Sequence, residues 1–359
     1  MTCSSTWAWE ESVLRSEKLR FGWLVQAVAA LLPAVFCSSA PGQKAEQAQP
    51  PLVPGTGPLR PAKTESFSFI VAGDSRPHKP ELPLPSTAEQ IFTAARALKP
   101  AFIIWTGDAI YGLSSADPNV IARQYAAFFQ VARKAAAPVF LAPGNHEMDV
   151  RIPAEGQKHR REIGSPQMEV LFRKNMGLPQ RAPIYGAFSY GNSRFILLNS
   201  EEIPPPGTER SPHAKVGAGG ELDLDPGFIR EEQFQWLRRE LDANKALHTF
   251  VFMHHPIKPR ESHMRLNHRN AEELMELFSH YSNISYVIAS HEHLYYNPQT
   301  GDTTPPPDRI DPSQQPPIYL VSGGAGAPLE GPPEKGGFHH YLIFRVEGAR
   351  VHPTLVRLP

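Results

Sequence analysis

Five short apolar runs in this chain each stop at a cluster of polar side chains of the kind that bind metals. Residues 67–72 end at Gly73-Asp74, and residues 101–105 end at Gly107-Asp108, with Tyr111 three positions on. Residues 138–141 end at Gly144-Asn145-His146-Glu147, residues 249–253 at His254-His255, and residues 284–289 at Ser290-His291-Glu292-His293. The first three runs alternate with helix-period segments at 86–98 and 119–136. Strand, helix, strand, helix, strand is the pattern of a parallel sheet covered by helices, an α/β architecture. In such sheets ligands bind beyond the carboxyl ends of the strands, where all five clusters fall.

Each cluster alone has an ordinary explanation. Gly-Asp after a strand is usually a turn, and Asn145 could simply cap a helix. His291 and His293, two apart on an extended chain, point to one face, which suits chelation or mere exposure. Together the clusters offer carboxylate, amide carbonyl, phenol and imidazole donors suited to Fe, Mn or Zn. A core needs none of these groups, and burying them unpaired costs several kcal/mol. About seven donors exceed what one ion needs, so two metal ions sharing a bridging ligand is the economical reading.

The rest of the chain reads less regularly. The charged stretch 151–164 reads as a loop, 168–175 as a short helix, and 185–190 with 195–199 as a hairpin turning at Gly191-Asn192. Residues 231–241 and 270–281 read as helices, and 318–321, 341–346 and 351–356 as closing strands. Long Pro- and Gly-rich stretches at 201–227 and 302–317 read as loops. Ser86 is read as a helix cap, with Glu89 three residues later.

The N-terminus reads as a targeting segment over residues 1–40. Arg15, Lys18 and Arg20 precede an apolar run at 21–36, and small residues follow from Cys37, the order of an export signal. The chain is therefore expected to be periplasmic, secreted or held at a membrane by its N-terminus. Residues 41–65, rich in Pro and Gln, read as a linker, and 66–359 as one domain. Lys plus Arg and Asp plus Glu both total 36, which gives no electrostatic case for a nucleic-acid partner. Only Cys3 and Cys37 occur, so no disulfide framework or cysteine metal site is expected.

As an ordered set, the five motifs resemble those of the calcineurin-like metallophosphoesterases, from about residue 67 to residue 346. Tyr111, three residues after Asp108, makes the purple acid phosphatase branch the closest in pattern. Val251-Phe252-Met253-His254 and His293-Leu294-Tyr295 are also similar to that branch. Arg76 stands where most of the superfamily has histidine, and Ser290 replaces a glycine.

The resemblance implies two packed mixed β-sheets flanked by helices, a four-layer sandwich, and hydrolysis of a small phosphate ester. It implies that Asp74, Asp108, Tyr111 and His293 hold a first metal, Fe³⁺, and that Asp108 bridges. Asn145, His254 and His291 would complete a second site for Zn, Mn or Fe. His146 would be the general acid, with Glu147 orienting it. The motif alignment favours His254 over His255 as ligand, leaving His255 beside the metals or facing phosphate. Arg76 would either grip a phosphate oxygen or pair with a loop carboxylate. Monoester and diester substrates both fit this pattern, and a non-catalytic binding protein on the same fold is a weaker alternative.

Overall fold

The computed structural model describes residues 48–113, 116–153, 160–206, 226–310 and 316–359, all within the compact unit Glu46–Pro359. The expected targeting segment, Cys3 and Cys37 lie outside the described residues.

Two mixed sheets form the centre. The first contains β1 (Ser66–Ala72), β2 (Ile103–Trp105), β3 (Val139–Leu141), β12 (His340–Glu347) and β13 (Arg350–Arg357), in the order β13-β12-β1-β2-β3. β1, β2 and β3 run parallel, while β12 is antiparallel to both β1 and β13. The second contains β6 (Gly186–Tyr190), β7 (Ser193–Leu197), β8 (His248–Phe252), β9 (Ile284–Ala289), β10 (Tyr295–Tyr296) and β11 (Ile318–Ser322), in the order β10-β11-β9-β8-β7-β6. β7, β8, β9 and β11 are parallel.

The period-2 alternation of strand side chains sorts the residues into layers. Phe69, Val71, Phe102 and Ile104 face the second sheet and meet Phe195, Leu197, Phe250 and Phe252. Phenylalanines of neighbouring strands stack, as in Phe69–Phe102 and Phe195–Phe250. Those of opposite sheets meet edge-on, as in Phe69–Phe250 at 4.9 Å and 80°, the geometry that aromatic quadrupoles favour. The alternate residues Ile70, Ile103 and Trp105 pack on helices α1 (Ser86–Leu98), α2 (Pro118–Ala132) and α4 (Pro166–Met176). On the far side, Ile196, Val251 and Val287 pack on α5 (Glu231–Ala243) and α6 (His268–Ser279). The four-layer sandwich implied by the motif resemblance is the one observed.

Local readings differ in three places. Ser86 opens α1 without capping it: Pro85 occupies the cap position, and its carbonyl accepts from the Ala88 N–H. The stretch 151–164 is not a plain loop, because β4 (Asp149–Pro153) pairs antiparallel with β5 (Arg160–Gly164). Its strand pattern, Asp149-Val150-Arg151-Ile152, alternates charged and apolar residues and was masked by the charge. Residues 48–64, which composition reads as linker, lie along the domain. The Val53 N–H donates to Val139 and the Leu141 N–H to Pro51, while the Ala187 N–H donates to Ala48. The segment thus runs past the outer strands of both sheets, β3 and β6, and occupies edge groups that would otherwise be open to pairing.

Candidate metal centre

The parallel strands of both sheets deliver their carboxyl ends to one rim. Three of the ligand-bearing loops reverse sharply there: Asp74, Asp108, His291 and His293 all have positive φ, at 61°, 53°, 72° and 46°. Non-glycine residues seldom adopt this left-handed conformation, and it concentrates at functional sites. The turn aims each side chain back across the rim. Close approach needs glycines nearby: a Cβ on Gly144 would fall 2.3 Å from Asp108 Oδ1, and one on Gly323 2.2 Å from Asp74 Oδ2.

Asp74, Asp108 and His293, all buried, each bring one ligand atom to within 4.8 Å of the others, a group able to hold a metal ion. His293 Nδ1 lies 2.8 Å from the Pro328 carbonyl. A carbonyl only accepts, so Nδ1 carries the proton and Nε2 keeps its lone pair, the tautomer used by metal-binding histidines.

A second group surrounds His254. Its Nδ1 meets the Thr106 carbonyl at 2.9 Å and Ser290 Oγ at 3.1 Å, so in the neutral ring Nε2 bears a lone pair. That atom lies 3.0 Å from Asn145 Oδ1, 3.1 Å from His291 Nδ1 and 3.4 Å from Asp108 Oδ1. Asn145 is turned oxygen-inward because its Nδ2 donates to Glu162 at 2.9 Å. Lone pairs facing one another at these distances repel unless a cation lies among them. Asp108 faces both groups, as a bridging ligand would.

Burial sets the electrostatics. Asp74 is pushed well above the ordinary carboxylate range by burial and then by Asp108. Asp108 is raised by burial, against the pull of His254 and Arg76. His291 is driven well below the usual imidazole value by burial and then by its histidine neighbours, and His293 falls to about 3 through burial and then Arg76. The imidazoles are therefore already neutral, as metal binding requires. Asp74 Oδ1 is buried with no hydrogen-bond partner, a state a cation would relieve. The donor set fits metal ions.

The remaining site residues surround this core. Arg76 places Nε 3.7 Å from Asp108 Oδ2, and that nitrogen is buried without a hydrogen-bond partner. His146 Nε2 is also 3.7 Å from Asp108 Oδ2, and its Nδ1 is held by the Tyr111 carbonyl. Burial and then Arg76 push the His146 pKa well down. Glu147 does not orient His146. Its Oε1 accepts from the N–H groups of Ala109 and Ile110, and its Oε2 from those of Asp108 and Gly144. It therefore clamps the loops that carry Asp108 and Asn145.

Tyr111 presents its hydroxyl to Arg151 Nη1 at 3.4 Å and its ring to His146, with centroids 5.8 Å apart. His255 bonds Glu201 Oε1 through Nδ1 at 2.6 Å and lies against His291, with ring centroids 3.9 Å apart. Burial alone would raise Glu201, but His255, His254 and Ser200 together outweigh it and the carboxyl ends below its ordinary value. His254 thus sits among the ligand atoms and His255 behind them.

Several supporting residues carry no sequence signal. Glu162 joins Asn145 to Arg151, whose Nε it accepts at 2.7 Å. Ser200 Oγ accepts from the N–H groups of His254 and His255. Glu292, between two candidate ligands, accepts from the N–H groups of Arg260 and Glu261. Each is remote in sequence from what it holds, so only the folded chain reveals the pairing.

The model of the calcineurin-like phosphoesterase family matches residues 83–295, and the chain belongs to that family of phosphoester hydrolases. Among solved structures, it is similar to a purple acid phosphatase from yellow lupin (Lupinus luteus) seeds, with a TM-score of 0.56 and 16% identity over 83% of this chain. The match covers 52% of the lupin enzyme, so this chain spans about half of that protein's length. It is also similar to PhoD, with a TM-score of 0.56 and 13% identity over 83% of this chain and 70% of that one. A dimetal phosphatase from Danio rerio matches with a TM-score of 0.53 and 15% identity, over 81% of this chain and 96% of that one. At these identities the likeness is one of fold. No curated protein matches the chain.

Proposed function

We propose that this chain is a phosphomonoesterase that works with two metal ions, resembling purple acid phosphatases in its site. The observation that carries the reading is the position of Asp108, between the Asp74–His293 group and the His254–Asn145–His291 group. Asp74, Asp108 and His293 would hold one ion; Asn145, His254 and His291, sharing Asp108, would hold the other. When bound, the ions would lower the pKa of a water and offset charge on the phosphoryl oxygens.

The chain's own groups would do the rest. Arg76, whose Nε is paired with Asp108 at 3.7 Å but makes no hydrogen bond, would donate to a phosphoryl oxygen. His146, with Nδ1 tied to the Tyr111 carbonyl, can deliver a proton only from Nε2. That atom faces Asp108; burial and Arg76 disfavour the imidazolium in the free site, so His146 would protonate the leaving oxygen once the negative charge of a bound phosphate restores its proton. Glu147 would keep Asp108 and Asn145 in register, and Glu162 would keep the Asn145 oxygen turned inward.

Iron at the first site depends on Tyr111 as a ligand. The Tyr111–Arg151 contact favours a second reading, in which the ions are Zn or Mn and the substrate is a phosphodiester. Export belongs to the proposal as well, supported by the charged, apolar and small-residue order of residues 15–40. Among the described residues no helix is long and apolar enough to cross a membrane. The test compares chromogenic monoester and diester substrates, with Asp108→Asn as control. Monoester preference with a broad visible absorption band supports the first reading, and diester preference without colour the second. Full activity in Asp108→Asn refutes both.

A further inference from the structure

A cavity of about 180 Å³ opens beside the metal centre. One wall is the segment after Arg76, with Pro77, Leu82 and Leu84. The second is Tyr111, and the third is the face of α2 that carries Val120 and Ala127. The lining is mostly aliphatic. Leu82, in this wall, stands 46% exposed.

Two residues join the cavity to the site. Pro77 follows Arg76, the proposed phosphoryl-binding side chain. Tyr111 touches His146, the proposed proton donor, with its ring. Pro77 and Ala109-Ile110-Tyr111 set this apolar space beside the two loops that carry Arg76 and Asp108. The volume falls below the roughly 300–1,000 Å³ of pockets for drug-sized ligands. It suits one aryl ring or a short branched alkyl chain and is too small for a nucleoside. Two polar side chains of α2 also line it, Arg123 and Gln124; Gln124 Nε2 is buried without a hydrogen-bond partner, while Gln124 Oε1 is fixed by the Gly112 N–H at 2.9 Å.

We propose that this cavity is the leaving-group subsite and that it selects phosphate esters of small apolar alcohols. The proposal rests on the phosphoesterase reading for the reaction but not for binding. Burial of an apolar group there is favourable whether or not the ester is cleaved.

The test uses the full chain with two esters whose alcohols have similar acidity, benzyl phosphate and methyl phosphate. It adds benzyl alcohol alone, followed by ligand-observed NMR. Ala127 is exposed on α2, so Ala127→Trp fills the cavity from the surface without disturbing the core. Leu82→Asp, in the exposed loop, puts a charge at the mouth. The proposal expects kcat/KM for benzyl phosphate to exceed that for methyl phosphate at least tenfold. Either substitution should lower that ratio at least fivefold and weaken benzyl alcohol binding. If benzyl alcohol binds and Ala127→Trp abolishes the binding, yet neither ester is cleaved, the subsite stands and the catalytic reading fails. Cleavage of both esters with equal kcat/KM, unmoved by either substitution, overturns the subsite and leaves the catalytic reading intact.

Discussion

Replacing Glu147 with glutamine separates two roles that look alike in the sequence. Glu147 accepts four buried backbone N–H groups, two on each oxygen, at 2.7–3.2 Å, an arrangement only the carboxylate satisfies, although burial and then Asp108 raise its pKa to about 8. Glutamine keeps one oxygen and two of those bonds. Its NH2 group then faces the other two N–H donors, which have no acceptor left. An unsatisfied buried donor costs about 1–3 kcal/mol, so Glu147→Gln should destabilise the domain by roughly 2–6 kcal/mol. That is a large share of the roughly 5–15 kcal/mol that holds a domain together. With an m-value of about 3 kcal/mol/M in urea, the midpoint should fall by about 0.7–2 M. Urea titration of the wild-type and variant chains, followed by tryptophan fluorescence, reads the shift directly. A midpoint within about 0.3 M of wild type, together with lost activity, would refute the clamp and return Glu147 to the role of orienting His146.

Three further outcomes follow from the same geometry. Glu162→Ala frees the Asn145 amide to turn, so affinity for the second ion should fall about 10–100-fold in a competition titration with a metal indicator, while the first site holds. Gly323→Ala places a Cβ 2.2 Å from Asp74 Oδ2 and 2.9 Å from the His293 backbone nitrogen, so it should lower kcat/KM about 10²-fold and lower the urea midpoint as well. His340 is depressed to about 4 by burial, so the unfolded chain takes up its proton first as pH falls. Its contribution is intact above pH 6.5 and declines by about 3 kcal/mol on descending to pH 4. His340→Gln should flatten that part of the stability profile relative to wild type.

The site was legible in the sequence because its chemistry sits at strand ends. A strand announces itself by apolar residues, and a carboxylate or imidazole immediately after it has no place in a core. Hence Asp74, Asp108, Asn145, His254, His291 and His293 stand out, and the fold gathers them at one rim. The framework that fixes them was not legible. Glu162 supports Asn145 from β5, whose sequence Arg160-Arg161-Glu162-Ile163-Gly164 carries no apolar alternation. Glu201 and Ser200 support His254 and His255 across more than fifty residues. Glu147 looked like a partner for the adjacent His146, but short helix α3 (Asn145–Met148) turns its carboxylate toward the backbone of the Asp108 loop. Residues 48–64 looked like linker because proline-rich sequence lacks strand periodicity. Yet Pro51 supplies the carbonyl, and Val53 the N–H, that the edge strand β3 uses. Composition reports a segment's own preferences, and pairing depends on what lies beside it.

The central claim is that one buried carboxylate, Asp108, serves two metal ions. Metal content per chain, measured by mass spectrometry after reconstitution and exhaustive desalting, tests it most directly when paired with Asp108→Asn. The account predicts two ions per wild-type chain and loss of tight binding at both sites in the variant. One ion per wild-type chain, or a variant that retains both, would contradict it.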